Sequence, residues 1–336
     1  MTHRITRFAG AAALLATALA LTACSGSGSS SPSSSPAAGG TFTFPDARKG
    51  AKPVSLESVP KTVVAQSSVA AALWDAGFKV KGAYGELTPG ADGKLNYQAG
   101  SLDLKQIKVV GSTYGEFDID KYALLKPDLL VDYSYSGAPL WYIPTKQSSQ
   151  ILGLAPSLGL PGEYDSTDDA ISTFVDLAGK LGADTGSATL TAEKKSYEAA
   201  EKSAIDAASA SKLKVLVVSP TKDTVYVADP QQVPELKTLA DAGLDILTPK
   251  PVKDLFTEVS WEQMSDFADA DVILLDARSY DATLDAIKDI PAWKDLPAVK
   301  AGQVYPWYTA TPYSYKAYSS VYNGYAEELR DAKDLG

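Results

Sequence analysis

Ser166-Thr-Asp-Asp-Ala-Ile-Ser-Thr-Phe-Val-Asp-Leu-Ala-Gly-Lys-Leu-Gly182 lies near the middle of the folded chain, and its reading sets how that chain is divided. Ser166 followed by two acids in the next three residues is an N-terminal helix signal, because the hydroxyl accepts from an orphan amide and the carboxylates face the positive end of the dipole. Ile171, Phe174, Val175, Ala178 and Leu181 then recur at helical spacing until Gly182 ends the run. Roughly 15 residues at 1.5 Å each make about 22 Å of helix. It is either a rigid rod joining two lobes or a packing helix within one.

On its N-terminal side, strand and helix signals alternate as they do in α/β lobes. Thr62-Val-Val-Ala-Gln66 reads as a buried strand, Ser67-Ser68 as the cap of a helix reaching Asp75, and Gly77 as its stop. Lys79 to Ala83 and Ile107 to Val110 are further strands. Asp118 caps a short helix to Leu125, Lys126-Pro127 ends it, and Asp128 to Tyr133 is the next strand. Another helix and strand are expected between Thr145 and Leu160. On the C-terminal side a long helix from Thr191 to about Ala210 leads to Lys214–Val218, which turns at Thr221–Asp223 into Thr224–Val227 as a hairpin. Helices at Val233–Ala242, Trp261–Phe267, Tyr280–Ile287 and Tyr315–Arg330 alternate with strands at Asp245–Leu247, Asp271–Leu275 and Gly302–Tyr305. The folded part of about 295 residues is long for one core and implies two lobes.

The first forty residues carry an export pattern. Arg4 and Arg7 precede an apolar run from Phe8 to Leu21, too short for a ~20-residue span, which closes on Leu21-Thr22-Ala23-Cys24. Residues 1–23 therefore read as a signal peptide, and the four closing residues resemble the bacterial lipobox, in which the cysteine is lipidated and becomes the first residue of the mature protein. Two acyl chains give stable membrane anchoring. From Cys24 to Gly40 the chain is nearly all Ser, Gly, Pro and Ala, a coil whose roughly 16 residues reach about 20 Å. No second long apolar run follows.

Residue counts remove whole classes of chemistry. The single histidine, His3, and the single cysteine, Cys24, both fall in the N-terminal segment. The mature domain thus has no Ser-His-Asp or Cys-His nucleophile, no catalytic residue is assigned, and no metal or cofactor site needing His or Cys is expected. The net charge of −10 and a pI near 4.7 argue against nucleic acid. A hydrolase using two carboxylates needs neither His nor Cys and stands as the enzymatic alternative; a structural or sensory surface protein is a third.

Four segments in order carry a resemblance: Pro60-Lys-Thr-Val-Val-Ala with Ala72-Leu-Trp-Asp-Ala-Gly77, Asp118-Ile-Asp-Lys with Leu125-Lys-Pro-Asp-Leu129, Val259-Ser-Trp-Glu-Gln with Asp271-Val-Ile-Leu, and Leu296-Pro-Ala-Val-Lys-Ala-Gly-Gln-Val-Tyr305. Together they resemble the substrate-binding lipoproteins of ABC importers for ferric siderophores, cobalamin and haem, over essentially the whole chain after Gly40. The resemblance implies two α/β lobes, residues 41–165 and 183–336, joined by a single long helix at 166–182, with ligand in the cleft between them. It also implies a non-enzymatic, monomeric receptor on the extracytoplasmic face of the membrane. In this family one carboxylate on each lobe docks onto arginines of the permease; the matching positions are Asp120 and Glu262, the family more often having Glu at the first.

In open α/β sheets, ligands lie beyond the carboxyl ends of the strands. Those ends offer Tyr84, Tyr114, Tyr133, Tyr135, Trp141 and Tyr142 in the first lobe, and Tyr226, Arg278, Trp307, Tyr308 and Tyr313 in the second. Clustered aromatics in loops suit a bulky, partly apolar ligand, since each gives large contact area and a polar tip. By contrast Tyr318, Tyr322, Tyr325 and Leu329 fall on one face of the last helix and read as core. A ferric tris-catecholate carries about three negative charges and favours several guanidinium partners. The folded part has only Arg48, Arg278 and Arg330, with Lys146, Lys222 and Lys250 as further candidate cations. A neutral or cationic ferric hydroxamate fits this balance better. Haem would have to rely on a Tyr ligand, and cobalamin remains open.

Overall fold

In the computed structural model, residues 40–90 and 93–336 are described. The expected signal peptide, Cys24 and the expected linker as far as residue 39 lie outside them. A short antiparallel hairpin, β1 (Phe42–Phe44) and β2 (Val54–Leu56), comes first. The sequence pattern did not flag it, because three-residue strands carry almost no periodicity. It is held from below: Phe42 and Phe44 are buried, and Arg48 pairs with Asp46 while donating to Ser157 at 3.0 Å.

The first lobe is a five-stranded parallel sheet of β3 (Val63–Gln66), β4 (Gly82–Tyr84), β5 (Lys108–Val109), β6 (Leu129–Ser134) and β7 (Ser157–Pro161), in the order β5-β4-β3-β6-β7. Its inner strands β3, β4 and β6 are buried on both faces, as parallel sheets require, while Lys108 on the edge strand β5 is exposed. Val63, Ala65, Leu129 and Val131 point to one side and pack under helix α1 (Ser67–Asp75); Val64 and Leu130 point to the other, under α2 (Ile119–Leu125) and α3 (Ser148–Leu152). Asp128 aligns the strand starts, its Oδ2 accepting from the amides of Lys61 and Thr62 at 2.9 and 2.8 Å. One local expectation is corrected. The cap of α1 is Gln66, whose Oε1 accepts from Ser68 N and Val69 N, and Ser67 is already the first helical residue. The strand therefore runs into the helix with no intervening residue, which the longer Gln side chain spans. Gly77, at φ +94°, closes the turn after this helix in a conformation that favours glycine.

Helix α4 (Thr167–Lys180) is the rod read from residues 166–182. Ser166 caps it, accepting from Asp169 N at 3.1 Å. Its apolar side serves two cores: Phe174, Leu177 and Ala178 enter that of the first lobe, Ile171 that of the second, and Val175 touches both. Thr167 at its start meets the hydroxyls of Tyr197 and Tyr322 at 2.8 and 2.9 Å, tying it to two helices of the second lobe.

The second lobe contains α5 (Ala188–Ala210), β8 (Lys214–Pro220), β9 (Val225–Ala228), α6 (Pro234–Asp241), β10 (Asp245–Leu247), β11 (Phe256–Val259), β12 (Val272–Asp276), α7 (Tyr280–Ile287), α8 (Pro291–Lys294), α9 (Pro297–Ala301), β13 (Val304–Trp307) and α10 (Tyr315–Asp331). Its sheet is mixed. The order is β11-β9-β8-β12-β13, with β8, β12 and β13 parallel, the β8–β9 hairpin antiparallel as read from the turn, and β10 parallel to the first half of β8. Val215, Val217 and Leu274 face α5, α6 and α10, while Leu216, Val218 and Ile273 face Trp261, Met264 and Trp293. The tyrosine face of the last helix is core as expected, with Tyr318, Tyr322 and Tyr325 all buried. Among the described residues no helix is long and apolar enough to cross a membrane.

Candidate functional site

The carboxyl ends of β3, β6, β12 and β13 converge on a cleft of about 440 Å³ walled by both lobes. The end of β6 and the segment after it supply one wall through Tyr133, Tyr135, Trp141 and Tyr142. Tyr135 and Trp141 pack edge to face with centroids 5.2 Å apart, and Tyr133 lies 6.1 Å from Tyr135. Tyr135 occupies the space that a side chain on residue 162 would need. A Cβ built on Gly162 would lie 2.3 Å from the Tyr135 ring, so glycine is what allows this close approach. Glu163 then accepts from the amide and hydroxyl of Ser136 at 3.1 and 2.9 Å, holding the turn. Burial pushes the Tyr135 phenol up to about 12, with Asp132 adding to the effect and Arg278 opposing it.

The second lobe supplies the floor. Tyr313 stacks on Tyr318 with ring planes 2° apart, and Trp307, 1% exposed, donates from Nε1 to Glu235 at 3.2 Å. Glu235 is buried, which pushes its carboxyl above the ordinary range against the pull of its Trp307 and Tyr318 donors. Glu235 escaped the sequence reading because an acid in the first turn of a helix looks like a dipole partner, and nothing in the spacing shows that it faces a cleft.

Arg278 lines this cleft and also an adjoining one of about 440 Å³ that shares Gln98, Trp141 and Tyr142 with it. Its guanidinium is not free, since it pairs with Asp276 at the end of β12, and Asp276 is held in turn by Ser219 Oγ at 2.8 Å. The other carboxylates on these walls are Glu163, Glu235 and Asp254 in the first cavity and Glu86 in the second. Among the described residues, Lys146, Lys222 and Lys250 line neither.

The eleven aromatic and arginine positions named from strand ends thus divide. Tyr133, Tyr135, Trp141, Tyr142, Arg278, Trp307 and Tyr313 meet in the first cavity, and Tyr114 joins Trp141 and Tyr142 in the second, 61% exposed at its rim. Three stand elsewhere. Tyr84 is fully buried behind the wall with its hydroxyl on Asp132 at 2.9 Å, Tyr226 packs on Phe256, and Tyr308 packs edge-on against Tyr97. Gln98 is a cleft residue that no strand pattern pointed to, because it sits on a short turn (Tyr97–Ala99) inside a loop. The lobes touch beside the cleft through Tyr97 OH on the Thr309 carbonyl at 2.6 Å and Ser314 Oγ on Asp75 at 2.7 Å. Asp120 and Glu262 lie on the surfaces of different lobes, both exposed.

Comparison with known proteins agrees with this architecture. The profile of the family described as periplasmic binding protein matches residues 86–310. The structure resembles that of DesE, a ferric-siderophore receptor protein from Streptomyces coelicolor, at 31% identity and a TM-score of 0.79, covering 88% of this chain and 100% of that one. More distant folds of the same kind include the triscatecholate siderophore binding protein FeuA from Bacillus subtilis (19% identity, TM-score 0.60, 86% and 98% covered). FhuD2 from Staphylococcus aureus with bound ferrioxamine B is another (18% identity, TM-score 0.55, 80% and 98% covered). No curated protein gives a significant match. With the profile spanning most of the chain and a relative above 30% identity matched along its whole length, this chain belongs to the periplasmic binding protein family, whose members are binding proteins and not enzymes.

Proposed function

We propose that this protein is the extracytoplasmic substrate-binding component of an ABC importer, capturing a ferric siderophore of hydroxamate type and delivering it to a membrane permease. The observation that carries the reading is the make-up of the cleft: eight aromatic side chains from two lobes and one guanidinium already paired with Asp276. Aromatic rings provide broad apolar contact for the organic arms of an iron chelate, and polar groups at their tips fix its orientation. A tris-catecholate trianion would meet Glu163, Asp254 and a neutralised arginine, and its desolvation would go largely uncompensated. A neutral or cationic ferric complex meets no such penalty. The likeness to a ferric-siderophore receptor over 88% of this chain supports the same ligand class.

The remaining parts of the reading follow the family's architecture. Cys24 is the lipid-anchoring residue, the Ser/Gly/Pro-rich segment after it links a monomeric receptor to the membrane, and Asp120 and Glu262 dock the two lobes on the permease. The test is titration of the purified chain with a ferrated linear tris-hydroxamate, a ferric tris-catecholate, haem and cobalamin, following Tyr and Trp emission. Stoichiometric quenching by the hydroxamate is expected, with weaker response to the catecholate. Binding of haem or cobalamin alone would redirect the assignment within the family, and no response to any of the four would end it. Glu262→Ala and Asp120→Ala should abolish uptake by cells while leaving ligand affinity intact.

A further inference from the structure

Behind the aromatic wall, Asp132 on β6 is fully buried, on the face of the sheet otherwise lined by Val64, Val110, Leu130 and Ile151. Its carboxyl accepts three hydrogen bonds, from Tyr133 N at 2.7 Å, Tyr142 N at 3.0 Å and the Tyr84 hydroxyl at 2.9 Å. The first two donors stand at either end of the 133–142 segment, which is also closed by Trp141 N on the Tyr133 carbonyl at 2.9 Å. One side chain therefore ties both ends of the loop that presents Tyr135, Trp141 and Tyr142 to the cleft. Tyr84 is braced in its turn by Phe117, centroids 5.0 Å apart, and Phe117 by Tyr122 at 5.2 Å.

We infer that Asp132 is a positioning residue for ligand binding, its carboxylate fixing the aromatic loop from behind and so setting where Tyr135, Trp141 and Tyr142 meet the ligand. The inference rests on the ligand class proposed above only for the choice of probe. Three converging donors require a group that only accepts, which an ionised carboxylate is. A protonated carboxyl brings a donor of its own into that space, and at least one of the three bonds must weaken or break. The titratable groups that feel its charge are the phenols of Tyr84 from β4 and of Tyr133, Tyr135 and Tyr142, with the Tyr122 phenol from α2 acting on Tyr84 in turn. Burial pushes Asp132 up to about 7 while its three donors pull it down. The loop is accordingly fully tied above neutral pH and loosened below it.

Ferrioxamine B is the probe, titrated into the full chain from pH 5.5 to 8.5 with Tyr and Trp emission as the signal. Affinity of the wild type should fall roughly tenfold on the acid side of a midpoint near 7, the loss expected for about one hydrogen bond to a charged group. Asp132→Asn should bind weakly with no pH dependence, because the amide carries a donor at every pH. Tyr84→Phe removes a bond that favours the ionised form, so its midpoint should move to higher pH. A merely structural role would lower the melting temperature of these variants and leave the pH profile of the folded fraction alone. A flat wild-type profile, or equal affinity in a folded Asp132→Asn chain, would overturn the inference; if Asp132→Asn fails to fold, the midpoint shift in Tyr84→Phe decides. Should ferrioxamine B not bind the wild type at all, the ligand assignment is what fails. Near-ultraviolet circular dichroism of the unliganded chain then tests the loop alone: a transition near neutral pH, absent in Asp132→Asn, supports the inference, and its absence from the wild type overturns it.

Discussion

Asp276 holds Arg278 from two residues back: the guanidinium Nε stands 3.0 Å from each carboxylate oxygen, and the Arg278 amide donates to Oδ1 at 2.9 Å. The short turn after β12 makes this grip local, so the guanidinium enters the cleft with its charge already balanced. Removing Asp276 should change what the cleft selects. In Asp276→Asn the arginine regains its uncompensated charge, and the ratio of affinities for an anionic ferric tris-catecholate over a neutral ferric hydroxamate should rise about tenfold or more. Arg278→Ala should weaken hydroxamate binding by a comparable factor with little change in melting temperature, since the side chain is half exposed. An unchanged affinity ratio in Asp276→Asn would show that the pair does not govern charge selection.

Two tryptophans of the cleft should separate affinity from stability. Trp141 is 51% exposed at the mouth, and Trp307 is buried against Phe256 and Glu235. Trp141→Ala should lower ligand affinity with a stability change within about 1 kcal/mol. Trp307→Ala should cost about 3–5 kcal/mol of folding stability as well, through the cavity it leaves and the loss of a donor to a buried carboxyl. Denaturant unfolding beside ligand titration distinguishes the two.

Gly162→Ala is the smallest change expected to deform the cleft. The new methyl would collide with the Tyr135 ring, and a packed ring against Trp141 yields only by moving the wall. Affinity should drop at least tenfold. A double variant that also carries Tyr135→Ala should show no further loss from the glycine change, because the clash is then gone. Additive losses in that cycle would place the effect of residue 162 elsewhere.

Stability should fall as the solution turns alkaline from mildly acid. Burial, and then its neighbour Glu327, push Glu328 from the ordinary 4.5 to about 8. Between those two values the folded chain binds this proton and the unfolded chain does not, so stability declines as pH rises through the window. Asp132, raised to about 7, acts in the same direction. Melting temperatures measured from pH 5 to 8.5 should decrease, and Glu328→Gln should flatten the slope and be the more stable form at pH 8. A melting temperature that rises over this range would contradict the assignment.

Most of the architecture was legible because it rests on periodicity and end signals. The helix from Thr167 to Lys180 shows itself through Ser166, its two acids and the spacing of Ile171, Phe174 and Ala178. The β8–β9 hairpin shows itself through the polar turn at Thr221–Asp223 between two β-branched runs. The hairpin at Phe42–Leu56 was not legible, since its strands are too short to alternate and its support comes from the remote Ser157. For the same reason the cap at Gln66 was missed: the geometry that lets a long amide reach two amides of the next turn is set by how β3 enters α1.

Composition, hydrophobic period and turn residues are local properties, and they suffice to read a two-part α/β chain, the absence of His or Cys chemistry after residue 24, and a set of aromatic loops at strand ends. Which of those aromatics face one another depends on how the two lobes pack. Tyr84, Tyr226 and Tyr308 satisfy the same local rule as Tyr135, yet they turn away from the cleft. Side chains on adjacent pleats point to opposite faces, so whether a ring becomes wall, brace or packing depends on what the fold places beside it. The roles of Asp132 and Asp276 have the same origin. An acid at a strand end is ambiguous in the sequence, and its meaning comes from the donors that the fold brings around it, some of them dozens of residues away.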